Sequence, residues 1–590
     1  MALKNHGKID EILSILGDIG PYQWKIYSLS MWPIFLAGIL TTALVFSTSV
    51  PEHRFVDCVD SFYFTIIFPS FATEIFRCFI EGCDDDPSLP SSSSLFSFKN
   101  IQSDSYQKFF LNYTIPKSND RHRFDQCHRY ASLPVNTSNS SNFVCSEIGF
   151  DSETIQSCHN RYVHNQHYFR STLATEFNLL CENEWTIQLL QSLFFFGVLL
   201  GAINNGIIAD KFGRKMIFRI YSPLLIVSIL FSLTNYSIYL YSIGLLLKGL
   251  CVAALYQSAF TFGIECLGGN WRFWLANFYS IVFTIGAIYS CLMAYLFRSW
   301  FEIEITNLFP ALLMIPFPWV VPESIRWQFS AGRTKEALEQ VVSAAKKNGV
   351  KIPAKLKEVF LNEFVVPEES HQSNVSIMDL FKHKSIRHWS LTFLYIWFTN
   401  ALVYYGISFL ASKIHDDIYL SMIALMAVEV PGVLIAAFLG EFSRRNALIG
   451  TMVLGGCASI ISSFSPGGYI RMGLAITGKL CISASFSLIY VYAAEIFPTI
   501  LRATGIGMCS LCARIGAMIA PYLFRLHFLG GAFPFLVIGV VTLLAGILSF
   551  ILPETKGKKL PDTLEEVSQL RDDSNQCFRN FRKKLAHFSS

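Results

Sequence analysis

At 590 residues, 52% of them apolar, 15% aromatic and only 15% charged, the chain is too apolar for a soluble globular protein of its length. The net charge of +4 is small, and the charges gather in blocks between long uncharged runs, which argues for a bilayer and against nucleic acid as a partner.

Residues 1–25 are mixed and polar without a short apolar core. No cleavable signal peptide is therefore expected, and Asp18–Gln23 reads as an amphipathic lead on the inner membrane surface. Ile26–Val50 is uncharged and long enough to cross about 30 Å of hydrocarbon as a helix, the first span. Residues 51–186 form a loop far longer than compact folds need, with seven of the fifteen cysteines and the N-x-S/T sequons Asn112, Asn136 and Asn139. This composition predicts an extracellular, glycosylated and disulfide-bonded segment whose connectivity stays open.

Spans 2 to 6 are expected at Ile187–Ala209, Met216–Asn235, Ile238–Cys266, Leu275–Phe297 and Ile305–Pro322. Residues 323–388 carry eleven Lys or Arg against eight acids and no cysteine, which places them in the cytoplasm. The second half repeats the plan with Trp389–Ser412, Ile418–Gly440, Asn446–Ile470, Met472–Ala494, Ala503–Phe524 and Phe528–Pro553, and residues 554–590 form a tail. The fold class is thus an all-α polytopic membrane protein of twelve helices in two six-helix halves, with both termini cytoplasmic.

Between spans 2 and 3 stands Gly206-Ile207-Ile208-Ala209-Asp210-Lys211-Phe212-Gly213-Arg214-Lys215. Gly206 lets helices approach, Asp210 can meet the positive end of a helix, Gly213 permits a turn, and the basic pair stays in the cytoplasm. This G-x-x-x-D-x-x-G-R-K pattern resembles the signature loop of major facilitator transporters. Pro322-Glu323-Ser324-Ile325-Arg326-Trp327 after span 6 and Leu552-Pro553-Glu554-Thr555-Lys556-Gly557 after span 12 occupy equivalent places. With Tyr492-Ala493-Ala494-Glu495-Ile496-Phe497-Pro498-Thr499-Ile500-Leu501-Arg502 between spans 10 and 11, they resemble the organic cation, anion and carnitine carriers of solute carrier family 22.

That resemblance implies a plasma-membrane carrier working by alternating access, not an enzyme, with no cofactor and no metal. Its partners would be a small organic ion, the bilayer and a co-transported Na+ or H+. Asp210, Arg214, Glu265, Glu323, Arg326, Glu429, Glu495 and Arg502 are expected in ion pairs that hold and release a gate, although each also fits simple anchoring of a helix end.

Charges inside spans are costly, roughly 2.5–3.5 kcal/mol each on insertion scales, and so point to function. Lys248, Glu265, Glu429, Lys479 and Arg514 fall inside or at the ends of spans. Arg514, near the middle of span 11, stands where the cation carriers of the family have an aspartate, and its guanidinium favours a carboxylate or sulfate. The bland alternative is a fixed partner such as Glu429. Trp397, Tyr404 and Tyr405 match family positions facing substrate, Tyr256, Tyr279 and Phe486 fall at comparable cavity positions, and Lys479 resembles a family residue, with packing as the competing role for any one aromatic. Glu429 and Lys479 fit a structural pair as readily as a substrate contact.

Some residues depart from the family pattern. Leu245 replaces its helix 4 arginine, a link that is lost or passes to Lys248, and Val433 replaces the second lysine of anion carriers. Gly440-Glu441-Phe442-Ser443-Arg444-Arg445 is a degraded copy of the signature loop, lacking its aspartate and glycine. Small organic anions or zwitterions, carnitine-like compounds included, are the expected cargo. The alternatives are an organic cation carrier of the same fold and a non-transporting, receptor-like member.

Overall fold

In a bilayer every backbone N–H and C=O must bond within the protein, which for a chain of long apolar runs leaves helices as the spanning form. The structure, a computed structural model, describes residues 20–50, 77–78, 128–132, 150–157, 162–163, 168–234, 237–266, 272–350, 379–382, 384–415, 417–465, 468–498, 501–526 and 533–556. The sequons Asn112, Asn136 and Asn139 lie outside the described residues. So does the polar lead up to residue 19.

Twelve helical spans follow in order: α1 Pro21–Ser47, α2 Trp185–Phe212, α3 Arg214–Ser232, α4 Ile238–Glu265, α5 Arg272–Phe297 and α6 Trp300–Val320, then α7 Lys384–Phe409, α8 Ile418–Phe442, α9 Arg444–Phe464, α10 Tyr469–Ile496, α11 Arg502–Arg525 and α12 Phe533–Leu548. Eleven of these regions are long and apolar enough to cross a membrane; α7 is the remaining one, diluted by polar side chains such as Thr392, Thr399 and Asn400.

Three boundaries differ from expectation for identifiable reasons. α1 begins at Pro21, a proline that loses nothing at a first helical position, so Tyr22 and Gln23 are buried helix residues rather than a surface lead. α6 starts at Trp300 rather than Ile305 and breaks between Leu312 and Phe317, a stretch that includes Pro316 and precedes Pro318. α8 is two helices, Ile418–Ala427 and Glu429–Phe442, meeting at Val428. Pro431 has no N–H to give the carbonyl of Ala427, which explains a joint at that point and sets Glu429 at its edge.

The chain divides into two compact units. The first holds the spans. Within it α3 packs on α4, α7 on α11, α9 on α10 and α12, and α8 on α10, while α5 crosses between halves to meet α8. Gly516 is where α11 closes on α7, because a Cβ there would run into the carbonyl of Phe398. The second unit, residues 46–187 with 298–300, holds two antiparallel strand pairs, His128–Ser132 with Phe150–Ser157 and Arg77–Cys78 with Tyr162–Val163. Residues 170–171 run beside 298–300, with the Arg170 N–H donating to the Arg298 carbonyl at 2.7 Å.

Candidate functional site

The face of the spans that carries the α2–α3 hairpin is tied by the same device twice. In the first half, Glu323 accepts from the backbone N–H of Arg214 at 2.8 Å, of Lys215 at 3.2 Å and of Ser324 at 2.9 Å, filling the open first turn of α3. Arg214 pairs with Glu265 at 2.8 Å, and the Ser324 hydroxyl donates to the other oxygen of Glu265. In the second half, Glu554 accepts from the N–H of Arg444 at 3.0 Å and Arg445 at 3.3 Å, Arg444 pairs with Glu495 at 3.3 Å, and the Thr555 hydroxyl donates to Glu495 at 2.6 Å.

The degraded second loop therefore keeps the geometry by other means. Gly213 has φ +94°, and a Cβ on it would strike the Glu323 carboxylate; at the equivalent place Ser443 is extended, φ −164°, and donates its hydroxyl to Glu554. The environments differ in sign. Burial pushes the Glu323 carboxyl above its usual 4.5, against the pull of its backbone donors. Burial pushes Glu554 the same way, but the Ser443 hydroxyl and the amides of Lys556, Arg444 and Arg445 outweigh it and hold the group below 4.5.

The other expected gate residues sit near these clasps with weaker ties. Asp210 is 80% exposed and 3.8 Å from Arg214. Arg326 donates to the carbonyl of Glu265 at 2.9 Å, and Arg502 donates to that of Phe497 at 3.3 Å. Each clasp joins helices of its own half, so in this conformation neither bridges the halves.

The bridges lie elsewhere. Ser192 of α2 donates to the Met518 carbonyl of α11 at 2.7 Å, Phe195 of α2 meets Tyr405 of α7 with ring centroids 4.5 Å apart, and Tyr295 of α5 meets Tyr419 of α8 at 5.5 Å. These all lie toward the ends of the spans away from the hairpin. Toward the hairpin face, a Cβ on Gly206 or Gly507 would meet nothing within 4 Å.

Glu429 occupies the midpoint. One oxygen lies 3.2 Å from Lys479 Nζ and the other accepts from the Thr284 hydroxyl of α5 at 3.0 Å, so this carboxylate touches both halves. Lys479 is fully buried; its Nζ donates to Ser408 at 3.0 Å and lies 3.2 Å from the centroid of the Tyr404 ring. Charge on Lys479 and Glu429 is thus met inside the protein. A second buried pair, Lys248 with Glu304, has both carboxylate oxygens 2.8 Å from Nζ, with side chains only 3% exposed. Lys248 does carry a polar link in the first half, to Glu304, which lies one residue before the expected start of span 6.

Arg514 is treated differently. It has no ion pair among the described residues, and its Nε is buried with no hydrogen-bond partner. The fixed partner considered for it, Glu429, is held by Lys479. Its electrostatic neighbours are Tyr256 of α4, Tyr405 of α7 and Tyr490 of α10, drawn from both halves. Tyr490 is 48% exposed yet has its ring 4.3 Å from that of buried Trp397, so it lines internal space. The Trp397 Nε1 is another buried donor without a partner.

Tyr404 and Phe486 join this wall, their ring centroids 5.8 Å apart. Tyr279 does not: it is fully buried and its hydroxyl bonds Ser30 at 2.5 Å, in the packing of α5 on α1. Tyr490 is not among the residues expected from sequence, although it stands one helical turn beyond Phe486 on the same face of α10.

Comparison with known proteins agrees with this architecture. Residues 137–569 match the family profile described as sugar (and other) transporter. Human solute carrier family 22 member 13 is 35% identical over 401 residues, 67% of this chain and 71% of its own length. The chain belongs to solute carrier family 22. Human organic cation/carnitine transporter 2 is 28% identical, covering 95% of this chain and 94% of its own, and the organic cation transporter protein of Drosophila melanogaster is 27% identical with 94% of each chain covered. An inward-open structure of the E. coli xylose transporter XylE aligns with a TM-score of 0.53 at 16% identity, over 67% of this chain and 91% of that one, a likeness of major facilitator fold. This member of the family is a multi-pass membrane transporter.

Proposed function

We propose that the protein carries small organic anions or zwitterions, carnitine-like compounds included, across the plasma membrane by alternating access. Both termini and the hairpin face are then cytoplasmic, and the loop of residues 51–186 is extracellular, glycosylated and disulfide-bonded. The observation that carries the reading is Arg514: a guanidinium without an ion pair among the described residues, at the space between the halves, beside tyrosines of both. A permanently charged donor in a low-dielectric space is stabilised by an arriving carboxylate. Tyr256, Tyr404, Tyr405, Tyr490 and Phe486 supply apolar area for the rest of the cargo.

Alternating access fits the placement of ties. The contacts between halves lie toward the span ends away from the hairpin and at Glu429, and the clasps hold each half together so that it moves as a body. A co-transported Na+ or H+ belongs to the same proposal. The names of several relatives carry the second reading, an organic cation carrier, which the aromatic wall would also suit.

Uptake of labelled carnitine, an aryl carboxylate and a quaternary ammonium into expressing cells separates the two. Saturable uptake of the first two is expected. Uptake of the quaternary ammonium alone supports the cation reading, and none of the three supports a receptor-like member.

A further inference from the structure

A cleft of about 470 Å³ opens on the hairpin face, away from the space around Arg514, between the start of α3, the end of α6 and the helix Thr334–Asn348. Lys215, Arg219 and Arg333 bring three cations to its lining. Lys215 and Arg219 have no ion pair among the described residues, and Arg333 has a loose one, 3.8 Å from Glu336 with both side chains more than half exposed. The other acid, Glu323, is already saturated by the N–H groups of Arg214, Lys215 and Ser324.

Two further features point to a ligand. Gln328 lines the cleft and is 94% buried by its 6% exposure, yet its side-chain Oε1 has no hydrogen-bond partner. That oxygen can only accept, so a hydroxyl of a bound ligand, such as one on an inositol ring, and not its phosphate, would remove the cost of about 1–3 kcal/mol of leaving it unmatched. The helix Thr334–Asn348 begins at Arg333 without a side-chain cap, so its positive end and open amides stand at the cleft.

The surroundings identify the source of the anion. Met216 at the cleft leads along α3 to Ile220, Val227 and Leu230, exposed at helical spacing, and beyond Pro322 the end of α6 exposes Trp319 and Val320. Cations at the mouth of an apolar strip match a molecule with a phosphorylated headgroup and acyl chains. We propose that the cleft binds the headgroup of a phosphoinositide, with its chains laid along α3 and α6. The assignment rests on the proposed cytoplasmic placement of the hairpin face, where such lipids reside, but binding to purified protein is independent of the transported substrate.

Native mass spectrometry of the purified full chain, titrated with phosphatidylinositol bisphosphate, tests this. Lys215→Gln and Arg219→Gln each weaken binding about five-fold and together about 25-fold, at roughly one such factor per cation. Gln328→Leu weakens it about five-fold, the value of one hydrogen bond. Phosphatidylserine, lacking the phosphomonoesters, binds at least about ten-fold more weakly. Unchanged affinity in the double variant overturns the site. Soluble inositol trisphosphate competing as strongly as the lipid overturns the lipid assignment and gives the cleft to a soluble phosphate ester. Should the double variant not purify as a single species, Arg333→Gln, on a half-exposed guanidinium, takes its place: about five-fold weaker binding supports the site and unchanged binding overturns it.

Discussion

Replacing Arg514 by alanine removes a guanidinium that nothing else in the described structure neutralises. In the proposed role, that side chain would make two parallel charge-assisted hydrogen bonds to a carboxylate substrate, each worth about 1.5–3 kcal/mol when dry. Arg514 is only partly buried, and the lower end of that range applies, about 3 kcal/mol for the pair. At 1.36 kcal/mol per tenfold, Arg514→Ala should lower the uptake efficiency for an aryl carboxylate by about 150-fold. Arg514→Lys keeps the charge without the planar fork and should lose about tenfold. Initial rates over a range of substrate concentrations, normalised to transporter at the cell surface, measure both. Carboxylate uptake unchanged by Arg514→Ala, at equal surface amounts, refutes the reasoning, because a structural arginine would have altered folding and not selectivity.

Other consequences concern the buried pair and the clasps. Glu429→Gln or Lys479→Met alone should cost about 3–5 kcal/mol and lower Tm in detergent, while the double variant recovers most of the loss, since what hurts is a lone buried charge. Gly213→Ala should destabilise by at least about 1–3 kcal/mol, read as lower Tm, because φ +94° strains any side chain and a Cβ would displace Glu323.

The two clasp glutamates should respond oppositely to pH. Glu554, held below 4.5, contributes stability that is present above 4.5 and lost as pH falls through its folded value, so Glu554→Gln should cost Tm at neutral pH and little at low pH. Glu323, held above 4.5, contributes stability that is present below 4.5 and lost as pH rises through its folded value, so the parent should lose Tm across that rise and Glu323→Gln should lose less. A Glu323→Gln penalty that grows with pH contradicts the assigned direction.

Much of the architecture was legible because both signals behind it are local. Uncharged runs of bilayer length mark the spans, and the paired motifs around Arg214 and Arg444 mark the two halves. The boundaries that slipped depend on longer-range chemistry. Glu304 is tolerated inside α6 only because Lys248 of α4 meets it, and no window on one helix contains both. The joint in α8 follows from Pro431, but that Glu429 there reaches Lys479 and Thr284 at once depends on how three helices pack.

The candidate site was legible in its charge and less so in its walls. A lone arginine in an apolar run is conspicuous, and among the described residues Arg514 has no ion pair. Aromatic residues carry no such mark in a chain with 53 Phe and 24 Tyr: Tyr279 turned out to be packing, and Tyr490 took the exposed place instead. Ser443 shows the same limit from the other side, since its match to Gly213 lies in the shape and bonding of the turn and not in residue type.

Equilibrium binding to the purified protein, comparing an aryl carboxylate with its isosteric carboxamide, bears most directly on the proposed role of Arg514. The two differ in charge and hardly in shape, so packing against the tyrosines cancels. The carboxylate should bind about 100-fold more tightly, a difference of about 2.7 kcal/mol, and Arg514→Ala should erase the preference. Equal affinities, or a preference that persists in Arg514→Ala, contradict the account.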